Sequence, residues 1–116
     1  MLYTDLPVYK ECYKLLLSIT RLLKQVPRQR KHTVWEELFA QSNQLVITLF
    51  KANTERDMRA HYLAIAREKC ELIHLLLRLL RDLHAIPLND FASLQIPLVS
   101  IGKQLTWWLQ SVEKKW

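Results

Sequence analysis

The sequence predicts an all-α fold, an antiparallel up-down-up-down four-helix bundle in a single domain spanning residues 1–116. Three observations carry that expectation. The chain has one glycine, Gly102, and four prolines, too few for a sheet protein whose hairpin turns need positive φ. Apolar residues recur at three- and four-residue steps along four stretches. The breaks between those stretches are short, which places consecutive helices side by side and antiparallel.

Helix one is expected from about Leu6 to Gln25. Asp5 can cap it, and Pro7 suits a first turn where a missing N–H costs nothing. Tyr9, Tyr13, Leu16, Leu17 and Leu23 belong to its apolar set, while Lys14, Ser18, Arg21 and Gln25 fall on the opposite stripe. Pro27 ends it. Helix two starts at Thr33, where Thr33 and Glu36 form a capping box that satisfies two orphan backbone donors. Val34, Trp35, Leu38, Phe39, Ser42, Leu45, Val46, Leu49 and Phe50 supply its wide apolar face. Lys51 sits in the last turn, where a cation suits the negative end of the helix dipole.

Thr54 with Asp57 offers a weaker cap for helix three, expected over about Glu55 to Leu83. Ile86-Pro87 closes the next connection, and Asn89 or Asp90 caps helix four. That helix buries Phe91, Leu94, Leu98, Ile101, Leu105, Trp108, Leu109 and Val112. Pro97 falls inside it and predicts a kink or a short first piece, because proline removes a backbone hydrogen bond and crowds the previous turn.

Helix three is more apolar than one bundle core requires. From Leu72 to Leu83 it reads LIHLLLRLLRDL. His74, Arg78, Arg81 and Asp82 share one narrow face, and leucines cover most of the remaining circumference. An apolar face left outside marks an interface. Adjacent Trp107 and Trp108 make the same point, since both cannot enter one core. The chain is therefore expected to form a ring-shaped homo-oligomer, with Leu76, Leu80 and Trp107 at the contact.

The net charge is +6 with histidines neutral. Arg21, Lys24, Arg28, Arg30 and Lys31 follow one another with no acid between them. A second line, Arg67, His74, Arg78 and Arg81, runs along helix three with Glu71 among them, and Lys114 and Lys115 close the chain. Multiplied around a ring, such clusters attract phosphate backbones by releasing counterions. Arg21, Lys24, Arg28, Arg30, Lys31, His74, Arg78 and Arg81 are the candidate RNA- or partner-binding residues. The alternative for these cations is a solvated face that keeps an oligomer in solution.

Catalytic and metal chemistry find little support. One glycine cannot build a glycine-rich phosphate loop. No serine–histidine–acid context and no carboxylate pair stand out. Glu71 and His74 form a Glu-x-x-His pair, but a di-iron bundle needs a second. Cys12 and Cys70 lie far apart without a CxxC partner, so two buried free thiols are expected in preference to the alternative, a disulfide, and the spacing offers no zinc site. No cofactor is expected. The first residues, MLYTDLPVYKE, do not read as a signal peptide, and no apolar run approaches the ~18 residues of a membrane span. A cytoplasmic protein is the expectation. Arg56 and His61 fit the Arg-x4-His spacing of HEPN-domain ribonucleases, in which the histidine would act as general acid or base.

Three segments carry a wider likeness: Val26-Pro27-Arg28 after helix one, His74-Leu-Leu-Leu-Arg78-Leu-Leu in helix three, and Ile101-Gly102-Lys103-Gln104-Leu105-Thr106-Trp107-Trp108-Leu109 in helix four. Over nearly the whole chain their order resembles a small four-helix-bundle family. It contains the accessory variability determinant (Avd) proteins of diversity-generating retroelements and the bacterial ribosomal RNA intervening-sequence proteins. Ser42-Asn43-Gln44-Leu45 departs from the Ser-Asn-Ile-Ala-Glu-Gly signature of the second branch, which favours the Avd branch. Pro97 departs from both.

The resemblance implies a bacterial, positively charged pentameric barrel without catalytic activity. It would associate with reverse transcriptase and template RNA in making adenine-mutagenised cDNA. By position it points to His74 and Arg78 as a partner-contacting face, whereas Arg28, Arg30 and Lys31 rest on charge density alone. The other reading of the same features is a helical scaffold that binds only protein partners.

Overall fold

The computed structural model describes residues 6–30 and 34–113. Among them are four α-helices, α1 (Pro7–Gln25), α2 (Val34–Thr54), α3 (Arg59–Asp82) and α4 (Leu88–Glu113), and no strand. Short 3-10 turns at Arg28–Arg30 and Arg56–Met58 precede α2 and α3. The body is a rod of 50 × 21 × 21 Å. Helices α1 and α3 each pack against both α2 and α4.

The core is built at three- and four-residue steps. Val8, Cys12, Leu15 and Ile19 enter from α1, and Trp35, Leu38, Leu45, Leu49 and Ala52 from α2. Leu63, Ala66, Cys70, Ile73, Leu77 and Leu80 enter from α3, and Leu94, Leu98, Ile101, Leu105 and Leu109 from α4. Burying one such leucine is worth about 1.5–3 kcal/mol. Ser42 lies in this core because its hydroxyl donates to the Leu38 carbonyl at 2.8 Å, which satisfies its one donor.

Helix α4 presents the face expected of it, with Phe91, Trp108 and Val112 packed against the buried set. Helix α1 is rotated from expectation. Its core stripe is Val8, Cys12, Leu15 and Ile19, while Tyr13 is 52% exposed and stacks on Tyr9 with ring centroids 6.4 Å apart. On α2, Phe50 is likewise exposed. A phenol or phenyl ring can lie along a bundle's flank, whereas the smaller aliphatic residues fill the narrow space between helices.

Helix ends differ more. Leu6 is the N-cap of α1, extended at φ −67° and ψ 131° and without a side-chain cap; Asp5 lies outside the described residues, as does Thr33 of the expected capping box. Thr54 does not cap α3. Its hydroxyl donates back to the Phe50 carbonyl at 3.0 Å, and α3 begins five residues on, at Arg59. Arg59 instead serves α2: its Nε donates to the Ala52 carbonyl at 2.8 Å and its Nη2 to the Asn53 carbonyl at 2.9 Å, two of the acceptors a helix end leaves open. Its guanidinium also lies 5.6 Å from the Trp108 ring centroid.

Helix α3 closes in a Schellman motif. The Ala85 N–H donates to the Leu80 carbonyl at 2.8 Å and the His84 N–H to the Arg81 carbonyl at 3.0 Å, with His84 at φ 56°. Most helices ending this way use glycine there. Helix α4 starts at Leu88, ahead of Asn89 and Asp90, and the Phe91 N–H donates to the Pro87 carbonyl at 3.0 Å. It continues through Pro97 as one helix, without a short first piece. Leu94, Leu98 and Ile101 bury on both sides of Pro97, and their packing outweighs the ~3 kcal/mol an interior proline costs.

Both cysteines are free and buried. Burial pushes the Cys70 thiol up to about 12. Burial, and then the nearby Cys70, raise the Cys12 thiol further.

Candidate functional site

The last turns of α1 and the 3-10 turn after it carry Arg21, Lys24 and Arg28, all exposed. Lys31 and the side chain of Arg30 lie outside the described residues, as do Lys114 and Lys115. A hollow of about 180 Å³ is lined by Gln25, Val26, Pro27, Trp35, Ala85 and Pro87, among others. The end of α1 therefore lies beside the start of α2 and the loop joining α3 to α4. Arg78 and Arg81, in the last turns of α3, sit toward that same end.

This end is not purely basic. Glu36 and Glu37 occupy the first turn of α2 and Asp90 the first turn of α4. Asp82 pairs with Arg81, Nε to Oδ1, at 3.1 Å. Arg81 also lies 5.0 Å from the centroid of the Phe91 ring. It is thus held against the bundle, while Arg78 is exposed and outside the ion pairs found among the described residues.

His74, one turn before Arg78 on the same helix face, also borders a groove. With Arg67, Cys70 and Glu71 it lines one wall of an open groove of about 350 Å³ between α3 and α4. The facing wall is Leu98, Val99, Gly102, Lys103, Thr106 and Trp107. Arg67, Glu71 and His74 were legible as one face of a helix. Lys103 and Gly102 were not legible as part of the site, because they come from a second helix about thirty positions away, and periodicity within one helix says nothing about its neighbour's phase.

The expected contact residues separate. Leu80 is 1% exposed inside its own subunit's core, so it leaves the set available to another chain. Leu76 is half-buried and packs against that core. Trp107 is 75% exposed, and its neighbour Trp108 packs inward. The leucines left outside are Leu72, Leu75 and Leu79 on α3 and Leu83 at its C-cap, at steps of three and four residues, so they form a stripe.

Arg56 and His61 are both exposed. Arg56 lines a shallow hollow with Thr54, Glu55, Asp57 and Met58, to which His61 does not contribute. The His61 ring lies tilted against Tyr62 at 5.4 Å, and a hydrogen bond to Glu55 raises the Tyr62 phenol. The structure does not gather the two into one cleft. Among the described residues no group of three or more histidine, cysteine or acidic side chains could hold a metal ion, and no helix is long and apolar enough to cross a membrane.

A family model described as bAvd-like matches residues 7–112, from the first turn of α1 to the last turn of α4. No curated protein matches the chain.

Proposed function

The chain belongs to the bAvd-like family, and on that footing we propose that it is a non-catalytic accessory protein of a diversity-generating retroelement. It binds reverse transcriptase and template RNA in the bacterial cytoplasm and supports mutagenic cDNA synthesis. The observation that carries this reading is the match over residues 7–112. The exposed run Arg21, Lys24 and Arg28 supports it. Guanidinium and ammonium groups displayed in this way attract phosphates of any sequence and position the RNA without reading it. Arg78 adds a cation toward the same end, and Arg30 and Lys31 extend the run in sequence.

The bundle is up-down-up-down and closes into a ring of like subunits, a pentamer on the family pattern. Leu72, Leu75, Leu79 and Leu83, with Leu76 at their edge, supply its apolar contact, while Trp107, which lines the α3–α4 groove with none of these leucines, is not part of it. A ring brings the basic end of each subunit beside the next and multiplies the field an RNA meets.

The test is Arg21→Glu combined with Arg28→Glu. Both residues are exposed, so circular dichroism should stay helical. Affinity for single-stranded RNA should fall, and the slope of log affinity against log salt should flatten by about 1.4, at ~0.7 for each phosphate no longer neutralised. Unchanged affinity and slope would remove these arginines from the interface.

A further inference from the structure

We propose that the groove between α3 and α4 seats one unpaired nucleotide of RNA, its base against the Trp107 indole and its phosphate between Arg67 and Lys103. This deepens the RNA-binding reading above and rests on it.

Three observations converge there. The first is the glycine. Gly102 is the chain's only one, it sits in the interior of α4, and a Cβ added to it would meet nothing within 4 Å. A mid-helix glycine weakens a helix relative to alanine, and here neither a turn, a positive φ nor a close neighbour within the subunit requires it. What the missing Cβ does is leave the α4 wall of the groove open for something outside the subunit.

The second is Trp107. The residue is 75% exposed and lines the same wall of the groove. An indole face left in water is a platform on which any base can stack.

The third is charge. The walls carry Arg67 and Lys103, with His74 between them in chain order and Glu71 as the one acid among the lining residues. Two fixed cations and one carboxylate favour an anionic occupant over an apolar one. Glu71 can accept a hydrogen bond from a base amino group or a ribose hydroxyl. The volume, about 350 Å³, lies within the ~300–1,000 Å³ range of small-ligand sites. Stacking needs a base free of its pairing partner, so the occupant is single-stranded.

The experiment uses the full chain and two fluorescent probes, a single-stranded oligouridine and a fully paired RNA duplex, with Gly102→Leu and Trp107→Ala. Gly102→Leu fills the space in front of the α4 wall without removing a charge. Its unfolding temperature should hold or rise, since leucine forms helix better than glycine. Each variant should bind the single strand about ten-fold more weakly, the size of one lost base stack, with duplex affinity unchanged. Trp107→Phe, which keeps a ring face, should recover most of the loss. Single-strand affinity equal to wild type in both variants would overturn the groove assignment and leave the basic end as the RNA site. A change in particle mass for Gly102→Leu would also overturn it, showing that a second copy of the chain occupies the groove. Wild type that binds neither probe would sink the RNA-binding reading itself.

Discussion

Cys70 shows how one residue serves two settings. Its thiol is buried, 3% exposed in the core, yet the residue also lines the α3–α4 groove. The low polarity around it opposes the thiolate, so the group stays protonated to about 12 instead of its ordinary 9.0. The linkage then has a definite sign. Folding is favoured fully below pH 9, where the thiol is neutral in both states. Above that the unfolded chain ionises first, and stability falls by up to about 1.4 kcal/mol per pH unit for this group until the folded thiol titrates. Thermal unfolding at pH 8 and pH 10 should therefore show a steeper fall in the wild type than in Cys70→Ala. Equal falls in the two proteins would show that burial does not control this thiol.

Among the elements, legibility differed from helix to helix. In α4, Leu94, Leu98, Ile101, Leu105 and Leu109 recur at three- and four-residue steps and are buried as that spacing indicates. Between Leu72 and Leu83 the third helix and its C-cap hold seven leucines in twelve residues. Such a run announces a surplus but not which side faces in; α2 and α4 decide that, and they place Leu80 in the core and leave Leu75 and Leu79 outside. The aromatic residues of α1 misled in a similar way, because tyrosine is apolar enough to join a stripe and polar enough to leave it.

Helix ends were the hardest to read. Caps such as the Arg59 bonds to the Ala52 and Asn53 carbonyls join one helix to the next, and no local signature marks them. The end of α3 carries a measurable consequence. His84 adopts φ 56°, a conformation glycine takes without steric penalty. His84→Gly should stabilise the protein by about 1 kcal/mol and raise its melting temperature by about 4 °C. A lower melting temperature would mean that the imidazole makes an interaction worth more than the strain.

The protein taken entire carries two surpluses: leucine outside the core and cations without enough acid to balance them. On the proposed reading the first would make copies associate, and the second would give the assembly its field. Leu75→Glu with Leu79→Glu touches only exposed positions, so helicity should persist while the particle falls to the single-chain mass of 13.9 kDa. A mass unchanged from wild type would place the contact elsewhere. The groove was the least legible part of the candidate site, because Arg67 and Lys103 come to line it only once two helices pack. The basic run of α1 was legible at once, since its residues are neighbours in the chain.

The most direct test is the affinity of the unmodified protein for single-stranded RNA, followed across a salt titration. Tight binding at low salt, with log affinity falling linearly and steeply against log salt, is the expected result. No binding at low salt, or an affinity indifferent to salt, would contradict a role built on cations meeting phosphate.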